Sequence, residues 1–186
     1  GVPVIIISPR NTAEWRNLPR HMVNLVLAPF TSIVVTNAQA VRESDARTML
    51  IRPRYRVIYN GIDSEVFKPV DAARIADERH ALGLPGGPLI GALGRLAEQK
   101  DYPTWLRTAR RVLDSRPDAR FVILGGGKLQ PQIEQLVADL RLSDAVTLLG
   151  VRPDVARLIP LFDVLLLTSR WEGFPNVVME AMACEV

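Results

Sequence analysis

Apolar residues along this chain fall into short runs separated by longer amphipathic stretches. Val2–Ile7 is a β-branched run closed by Ser8-Pro9, and Ser32–Thr36 (SIVVT) is a second strand-like run. A helix is predicted from about Ala38 to Leu50, with Asn37 placed to cap it, because a short side-chain oxygen accepts an orphaned first-turn N–H. Arg56–Tyr59 (RVIY) predicts a further strand, closed by the turn pair Asn60-Gly61. Lys68-Pro69 interrupts the pattern and sets a domain boundary near residues 65–72. A helix from about Asp71 to Leu82 follows, ending near Gly83.

From Pro88 the alternation is regular. Leu89–Leu93 is a strand, and Tyr102–Ser115 an amphipathic helix with Pro103 in its first turn. Phe121–Leu124 (FVIL) is a strand running into Gly125-Gly126-Gly127. Leu129–Leu140 is a helix, apolar at Leu129, Ile133, Leu136, Val137 and Leu140. Val146–Leu149 is a strand, Val155–Pro160 a short helix, Val164–Leu167 a strand, and a last helix starts near Asn176. Strands that are apolar throughout belong to parallel sheets covered on both faces, so the fold class is α/β with parallel sheets. Ligands in such sheets lie beyond the carboxyl ends of the strands. The loops that matter therefore follow Leu93, Leu124, Leu149 and Leu167.

Composition narrows the class. In 186 residues, 48% hydrophobic and 23% charged content excludes a disordered chain. The single cysteine, Cys184, excludes an internal disulfide framework and points to a reducing, cytoplasmic compartment. His21 and His80 are isolated, so no metal site is expected. The longest apolar runs, Val2–Ile7 and Leu25–Phe30, are too short to cross a bilayer. The strand-like run directly after Gly1 reads as a chain taken up mid-domain. Net charge is +3, and the excess lies early: residues 1–70 carry nine Lys/Arg against five acids. That could suit an anionic lipid or substrate, but an ordinary solvated surface is favoured, since no compact run of like charge exists. Trp15, Arg16, Leu18 and Arg20 form a candidate peripheral membrane contact, with a covered surface helix as the equal alternative. No nucleic-acid partner is expected.

The loop after Leu93 carries Gly94, Arg95 and Lys100. A planar guanidinium fork and a compact ammonium five residues apart can neutralise a diphosphate, and two solvated cations are the plain alternative. The Gly125-Gly126-Gly127-Lys128 loop satisfies neither the dinucleotide fingerprint, lacking its third glycine, nor the P-loop, since Leu129 follows the lysine. A tight turn open to ligand or backbone approach is favoured. After Leu149 come Gly150, Val151, Arg152, Pro153 and Asp154: Arg152 can flank a flat ring, while Asp154 suits a helix start. The final loop is the strongest signal. Glu172 precedes Gly173-Phe174-Pro175-Asn176, and Glu180 lies about one turn inside the helix. Backbone N–H groups at Phe174, Asn176 and Val177 would form an anion site at the helix tip, with a carboxylate on either side as hydroxyl acceptor. That suits a phosphorylated polyol such as a nucleotide sugar. The alternatives are a solvated loop acid, a surface helix acid and a core helix bearing Met179 and Met182.

The segment EGFPNVVMEAMA, with Glu172 and Glu180 separated by seven residues, resembles the signature of family 4 of the glycosyltransferases, which have the GT-B fold. VIYNGID with Pro69, GALGRLAEQKDY, the glycine loop, LLGVRPDV and VLLLTS precede it in matching order. The resemblance covers essentially the whole chain. It implies that residues 1–68 are the C-terminal part of an acceptor-side Rossmann-like domain, 69–87 an interdomain linker and helix, and 88–186 a donor-binding domain truncated at its end. It implies that Arg95 and Lys100 hold a donor diphosphate, Glu172 contacts the transferred sugar, and Glu180 binds ribose. Gly150–Asp154 would lie beside the base, and Gly173–Val177 would meet sugar hydroxyls and phosphate. Where many relatives carry a histidine after the first strand, this chain reads Ser8-Pro9-Arg10-Asn11, so Arg10 and Asn11 become the acceptor-side candidates. Relatives often have an acid at Gly126 and a glycine at Glu185, which predicts a slightly different turn at Glu185.

The activity implied is a retaining, metal-independent transfer from a nucleotide sugar, guessed as a UDP-sugar, to a glycan or lipid-linked acceptor in cell-surface polysaccharide synthesis. No cofactor is implied, and the setting is the cytoplasm or the inner face of its membrane. A non-catalytic nucleotide-sugar-binding module or inert fragment, and a pyridoxal-phosphate sugar phosphorylase, remain as alternatives.

Overall fold

The structure, a computed structural model, describes residues 4–12, 26, 28–48, 53–84 and 86–186. Two compact units make up the chain: Gly1–Gly61 with Trp171–Pro175, and Ile62–Arg170 with Asn176–Val186. The division falls at Gly61/Ile62, ahead of the boundary expected at residues 65–72.

The first unit holds a parallel three-stranded sheet in the order β1 (Ile6–Ile7), β2 (Ile33–Thr36), β3 (Tyr55–Val57). One helix, α1 (Gln39–Thr48), joins β2 to β3, and Val34, Ala38 and Val41 are buried with it. Tyr55 donates to the buried Asp45 carboxylate at 2.9 Å. Only two residues of the Val2–Ile7 run pair with β2. Val4 and Ile6 share an open face, being two apart in extended chain, and residues 1–3 lie outside the described residues. The expected Arg56–Tyr59 strand sits one residue earlier and ends sooner, because β2 runs out at Thr36; the Ile58 N–H makes the last bond, to the Thr36 carbonyl. Asn37 does not cap α1: its side chain is buried and Oδ1 has no hydrogen-bond partner. Residues 49–50 and the Trp15, Arg16, Leu18, Arg20 group lie outside the described residues.

In the second unit β4 (Leu89–Leu93), β5 (Arg120–Leu124), β6 (Val146–Gly150) and β7 (Val164–Leu165) form a parallel sheet in the order β6-β5-β4-β7. The strands alternate with α3 (Tyr102–Ser115), α4 (Gln130–Asp139) and α5 (Val155–Leu158). Burial on both faces is visible in β5. Phe121 and Ile123 pack with Trp105, Leu106, Ala109 of α3 and Ile133 of α4, while Val122 and Leu124 pack with Leu158, Ile159, Leu161 and Phe162. Trp105 meets Phe121 edge-on at 5.7 Å and donates its indole N–H to the Leu166 carbonyl.

Helix α2 (Ala72–Ala81) starts where expected, with Asp71 accepting from the Arg74 N–H at 2.8 Å. It is not a loose linker. Arg79 bonds the Leu161 carbonyl and the Asp163 carboxylate, and Glu78 pairs with Arg157, so α2 is part of the second unit. The strand expected over Val164–Leu167 pairs with β4 at Val164 and Leu165, with the Asp163 and Leu166 N–H groups bonding the Leu89 and Gly91 carbonyls; beyond Leu166 the chain bonds the loop before α3 instead. The last helix, α6 (Asn176–Ala183), begins as predicted. No helix among the described residues is long and apolar enough to cross a membrane.

Three helices end alike. After α2, α4 and α6 the residues Gly83, Arg141 and Glu185 take left-handed φ values of 66°, 55° and 62°. In each, that residue and the next donate back to carbonyls in the last turn, closing a Schellman motif with Leu84, Leu142 or Val186 as its apolar end. Glu185 thus keeps the geometry a glycine would give, and the different turn expected there is not seen. At Gly83 an added Cβ would meet no atom within 4 Å, so its substitution isolates the conformational cost. Gly83→Ala should lower the unfolding free energy by about 1–2 kcal/mol, read as a fall in urea midpoint at unchanged m-value.

Candidate functional site

The order β6-β5-β4-β7 places the first strand of this unit in the middle of its sheet. The chain steps outward from β4 to β6 and then returns to the other side of β4. Between β4 and β7 the winding reverses, and the crevice beyond the carboxyl ends there is where α/β sheets bind ligands. The loops that flank it are Gly94–Asp101 after β4 and the segment after Leu165.

The first of these is fixed by backbone. The Gly94 N–H donates to the Leu124 carbonyl, Leu96 to Gly126, and Leu129 to Leu96. Gly125, at φ 139°, lies against this loop: a Cβ there would sit 2.0 Å from the Gly94 carbonyl oxygen, and one on Gly127 2.5 Å from that of Leu96. The triple glycine is the close backbone approach expected, and its partner is the Arg95 loop. Arg95 itself is exposed. Lys100 closes a short 3-10 turn, Glu98–Lys100, and its side chain folds back over Gly94; a Cβ built on Gly94 would lie 3.0 Å from Cε and 3.6 Å from Nζ. Both cations are thus carried by the carboxyl end of β4. Buried Tyr102 donates to the Gly94 carbonyl at 3.2 Å, and burial pushes its phenol up, so it stays a donor.

Polar groups that sequence reading passed over hold this loop from the β7 side. The Thr168 hydroxyl donates to the carbonyls of Lys100 (3.0 Å) and Asp101 (3.1 Å), and the Arg170 N–H to that of Gln99 (2.8 Å). The Asp101 carboxylate accepts from Thr104 at 3.0 Å and faces Arg170 Nε at 3.4 Å. Burial pushes this carboxyl up, but the bonds from Thr104 and Arg170 together outweigh it and hold it below its ordinary value. The available signal was the polar pair Thr168-Ser169 ending an apolar strand.

At the end of β6, the Gly150 carbonyl accepts from the Gly125 N–H at 2.8 Å. Val151 is 80% exposed, and a Cβ on Gly126 would lie 2.9 Å from its Cγ2. Arg152 and Asp154 form a two-pronged ion pair at 2.8 and 2.6 Å. The hydrogen bond from Arg152 drives Asp154 down to about 2, and Asp154 caps no N–H of α5, unlike the helix-start role expected of it.

Glu172, Gly173, Phe174 and Pro175 belong with the first unit. A Cβ on Gly173 would strike the Arg10 carbonyl oxygen at 1.9 Å and lie 3.0 Å from Val41 Cγ2. Phe174 packs on Tyr59 with ring centres 5.6 Å apart, and its carbonyl accepts from Asn60 at 3.4 Å. Arg10, exposed, and Asn11, half-buried, therefore share a unit with Glu172. Asn176, Val177 and Glu180 lie on α6 in the second unit. Glu172 and Glu180 are related here by their spacing in the chain. Burial raises the Glu180 carboxyl, and the thiol of Cys184 one turn on is raised by burial and then by the Glu180 charge.

These features define an α/β unit whose parallel sheet carries two cations on the loop at the carboxyl end of its central strand. Residues 75–186 match the family model for glycosyl transferases group 1, and the chain belongs to that family. It is 30% identical over 98% of its length to EpsF of Bacillus subtilis, a protein classed as a glycosyltransferase, and 29% identical over 98% to the UDP-Gal:alpha-D-GlcNAc-diphosphoundecaprenol alpha-1,3-galactosyltransferase of Escherichia coli. The chain spans 50% of the length of each. The crystal structure of HepE from Anabaena in complex with UDP-glucose superposes with a TM-score of 0.88 at 25% identity, over 97% of this chain and 51% of that one. The fold is that of the GT-B glycosyltransferases.

Glu180 gives a stability test. Its folded-state pKa lies above the unfolded one, so ionisation disfavours the folded chain as pH rises through these values. Glu180→Gln should therefore raise the melting temperature at pH 7, and the gain should vanish below about pH 4, where the unfolded glutamate protonates. A gain independent of pH between 3.5 and 7 would contradict the assignment.

Proposed function

We propose that this chain provides the donor site of a retaining glycosyltransferase that moves a hexose from a UDP-sugar to a hydroxyl of a lipid-linked or polysaccharide acceptor. The observation that carries the proposal is the pair of cations on the carboxyl end of β4, with Lys100 folded over Gly94 beside Arg95 at the reversal of strand order. The name of the Escherichia coli relative, with its UDP-galactose donor and diphosphoundecaprenol-linked acceptor, and the UDP-glucose complex of HepE support the choice of donor and acceptor.

In this reaction the bond from the sugar's anomeric carbon to the diphosphate breaks through an oxocarbenium-like state. The acceptor oxygen bonds the same face, and its proton passes to the departing phosphate. Negative charge grows on the diphosphate, where Arg95 and Lys100 stabilise it without rearrangement, taking the part a metal plays elsewhere. First-turn N–H groups of α6, which have no intrahelical acceptor, add to that field. Glu172 meets the transferred sugar and Glu180 the ribose hydroxyls. Val151 offers an apolar surface to the base, beside the Arg152–Asp154 pair. The setting is cytoplasmic, with peripheral contact at the membrane that holds the acceptor.

A second reading, a module that binds nucleotide sugar without transfer, is favoured for the chain alone by its spanning half of its relatives. Incubation with labelled UDP-sugar separates the two: transfer or donor hydrolysis supports catalysis, and retention without turnover supports the module. In the full-length protein, Arg95→Ala and Lys100→Ala should each lower turnover by about a hundredfold. Near-wild-type turnover in either would refute the electrostatic assignment. Calorimetry with UDP, GDP and ADP should rank UDP first.

A further inference from the structure

Lys100 is placed by its backbone, and that backbone is held at an unusual residue. Asp101, between the 3-10 turn and α3, has φ 47° and ψ 49°. A non-glycine residue there is strained, and such strain persists where surrounding groups over-determine it. Capping is a minor part of its role: the Thr104 N–H of α3 goes to the Asp101 carbonyl at 3.0 Å, and its contact with the carboxylate is the weakest that group receives. Its carboxylate is engaged by two side chains, Thr104 at 3.0 Å and Arg170 at 3.4 Å. The carbonyls of Lys100 and Asp101 converge on one hydroxyl, that of Thr168, and the Arg170 N–H closes on Gln99. Every group in this set belongs to the second unit.

We propose that Asp101, clamped by Arg170 and Thr104 and backed by the Thr168 hydroxyl, is the positioning residue for Lys100. The left-handed turn at Asp101 separates the 3-10 turn from α3 and leaves the Lys100 side chain lying across Gly94. The clamp also joins the lysine loop to Arg170 on the segment after β7, within the same unit. It acts through Lys100 and touches no ligand atom. The inference rests on the reading that Lys100 binds a nucleoside diphosphate.

The test measures binding of UDP, GDP and ADP, each against its monophosphate, to the full-length protein by calorimetry. Asp101→Gly tolerates the left-handed turn and removes only the carboxylate. It should weaken the preferred diphosphate about tenfold, the size of one lost charge-assisted hydrogen bond, and change its monophosphate by less than about twofold. Melting temperature should not fall. The Lys100→Ala/Asp101→Gly double variant should bind the diphosphate no more weakly than Lys100→Ala alone. Thr168→Val, which removes the hydroxyl and keeps the shape, should show the same diphosphate selectivity. Wild-type diphosphate affinity in Asp101→Gly, equal loss for both nucleotides, or losses that add in the double variant would overturn the clamp alone. Wild-type affinity in Lys100→Ala, or binding of none of the three diphosphates by the unmodified protein, would overturn both the clamp and the reading beneath it.

Discussion

The hydrogen bonds from Gly94 N–H to the Leu124 carbonyl and from Gly125 N–H to the Gly150 carbonyl continue the backbone pairing one residue past the carboxyl ends of β4 and β5. Loops leaving a parallel sheet normally part from the ladder at the strand ends and carry function on mobile backbone. Here they stay hydrogen-bonded for a further residue, across a register shift between β5 and β6, which requires backbone to lie on backbone. A side chain at Gly125 would occupy the Gly94 carbonyl. Arg95 therefore leaves from main chain held nearly as firmly as a strand, and charges so fixed need no rearrangement when a reaction develops charge before them.

The parts of the fold legible in the sequence are those decided by burial. β5 is apolar at four successive positions because each side faces a different set of helices, and no local preference competes. β7 was overextended for the same reason: Leu166 and Leu167 are as apolar as Val164, but the backbone changes partners from β4 to the Glu98–Asp101 loop, and side-chain polarity carries no record of that exchange. Asn37 and Asp154 mark a second limit. Both have side chains suited to cap a helix; one is turned into the core and the other is captured by Arg152. Of the candidate site, Arg95, Lys100 and the two glutamates stand out by spacing, and the structure carries both cations on the loop after β4. The supports of Lys100 do not stand out, since Asp101 looks like an ordinary helix-start acid until its left-handed backbone is seen.

Charge pairing sets Glu180 apart. In the second unit, Asp154 pairs with Arg152, Asp163 with Arg79, Glu78 with Arg157 and Asp101 with Arg170. Among the described residues, Glu180 has no such ion pair, and burial raises its carboxyl. A chain that neutralises its other partly buried acids yet leaves this one desolvated accepts a cost in stability there. Functional sites commonly carry such costs, because a carboxylate already paired within the protein has less capacity to accept from a ligand hydroxyl. The buried Cys184 thiol, four residues on, is a neutral, poorly solvating group whose own ionisation the Glu180 charge disfavours.

The two cations are unlike in ways that matter. Lys100 is half-buried, folded on Gly94 and held through its carbonyl by Thr168, so its ammonium is a point charge at a set position. Arg95 is exposed on a long stem, though its backbone is anchored. A planar fork that can swing suits capture of phosphate oxygens arriving from solvent, whereas a fixed ammonium suits the charge that appears only as a bond to phosphate breaks. In the proposed reaction the two would therefore divide the work unequally: both bind the diphosphate and meet the charge that grows on it, and Arg95 in addition captures the donor on arrival, where the flexibility of its stem costs little. That division explains why the scaffold concentrates its supports, namely Tyr102 beneath Gly94, Thr168 on the carbonyls and Asp101 at the left-handed turn, around the lysine.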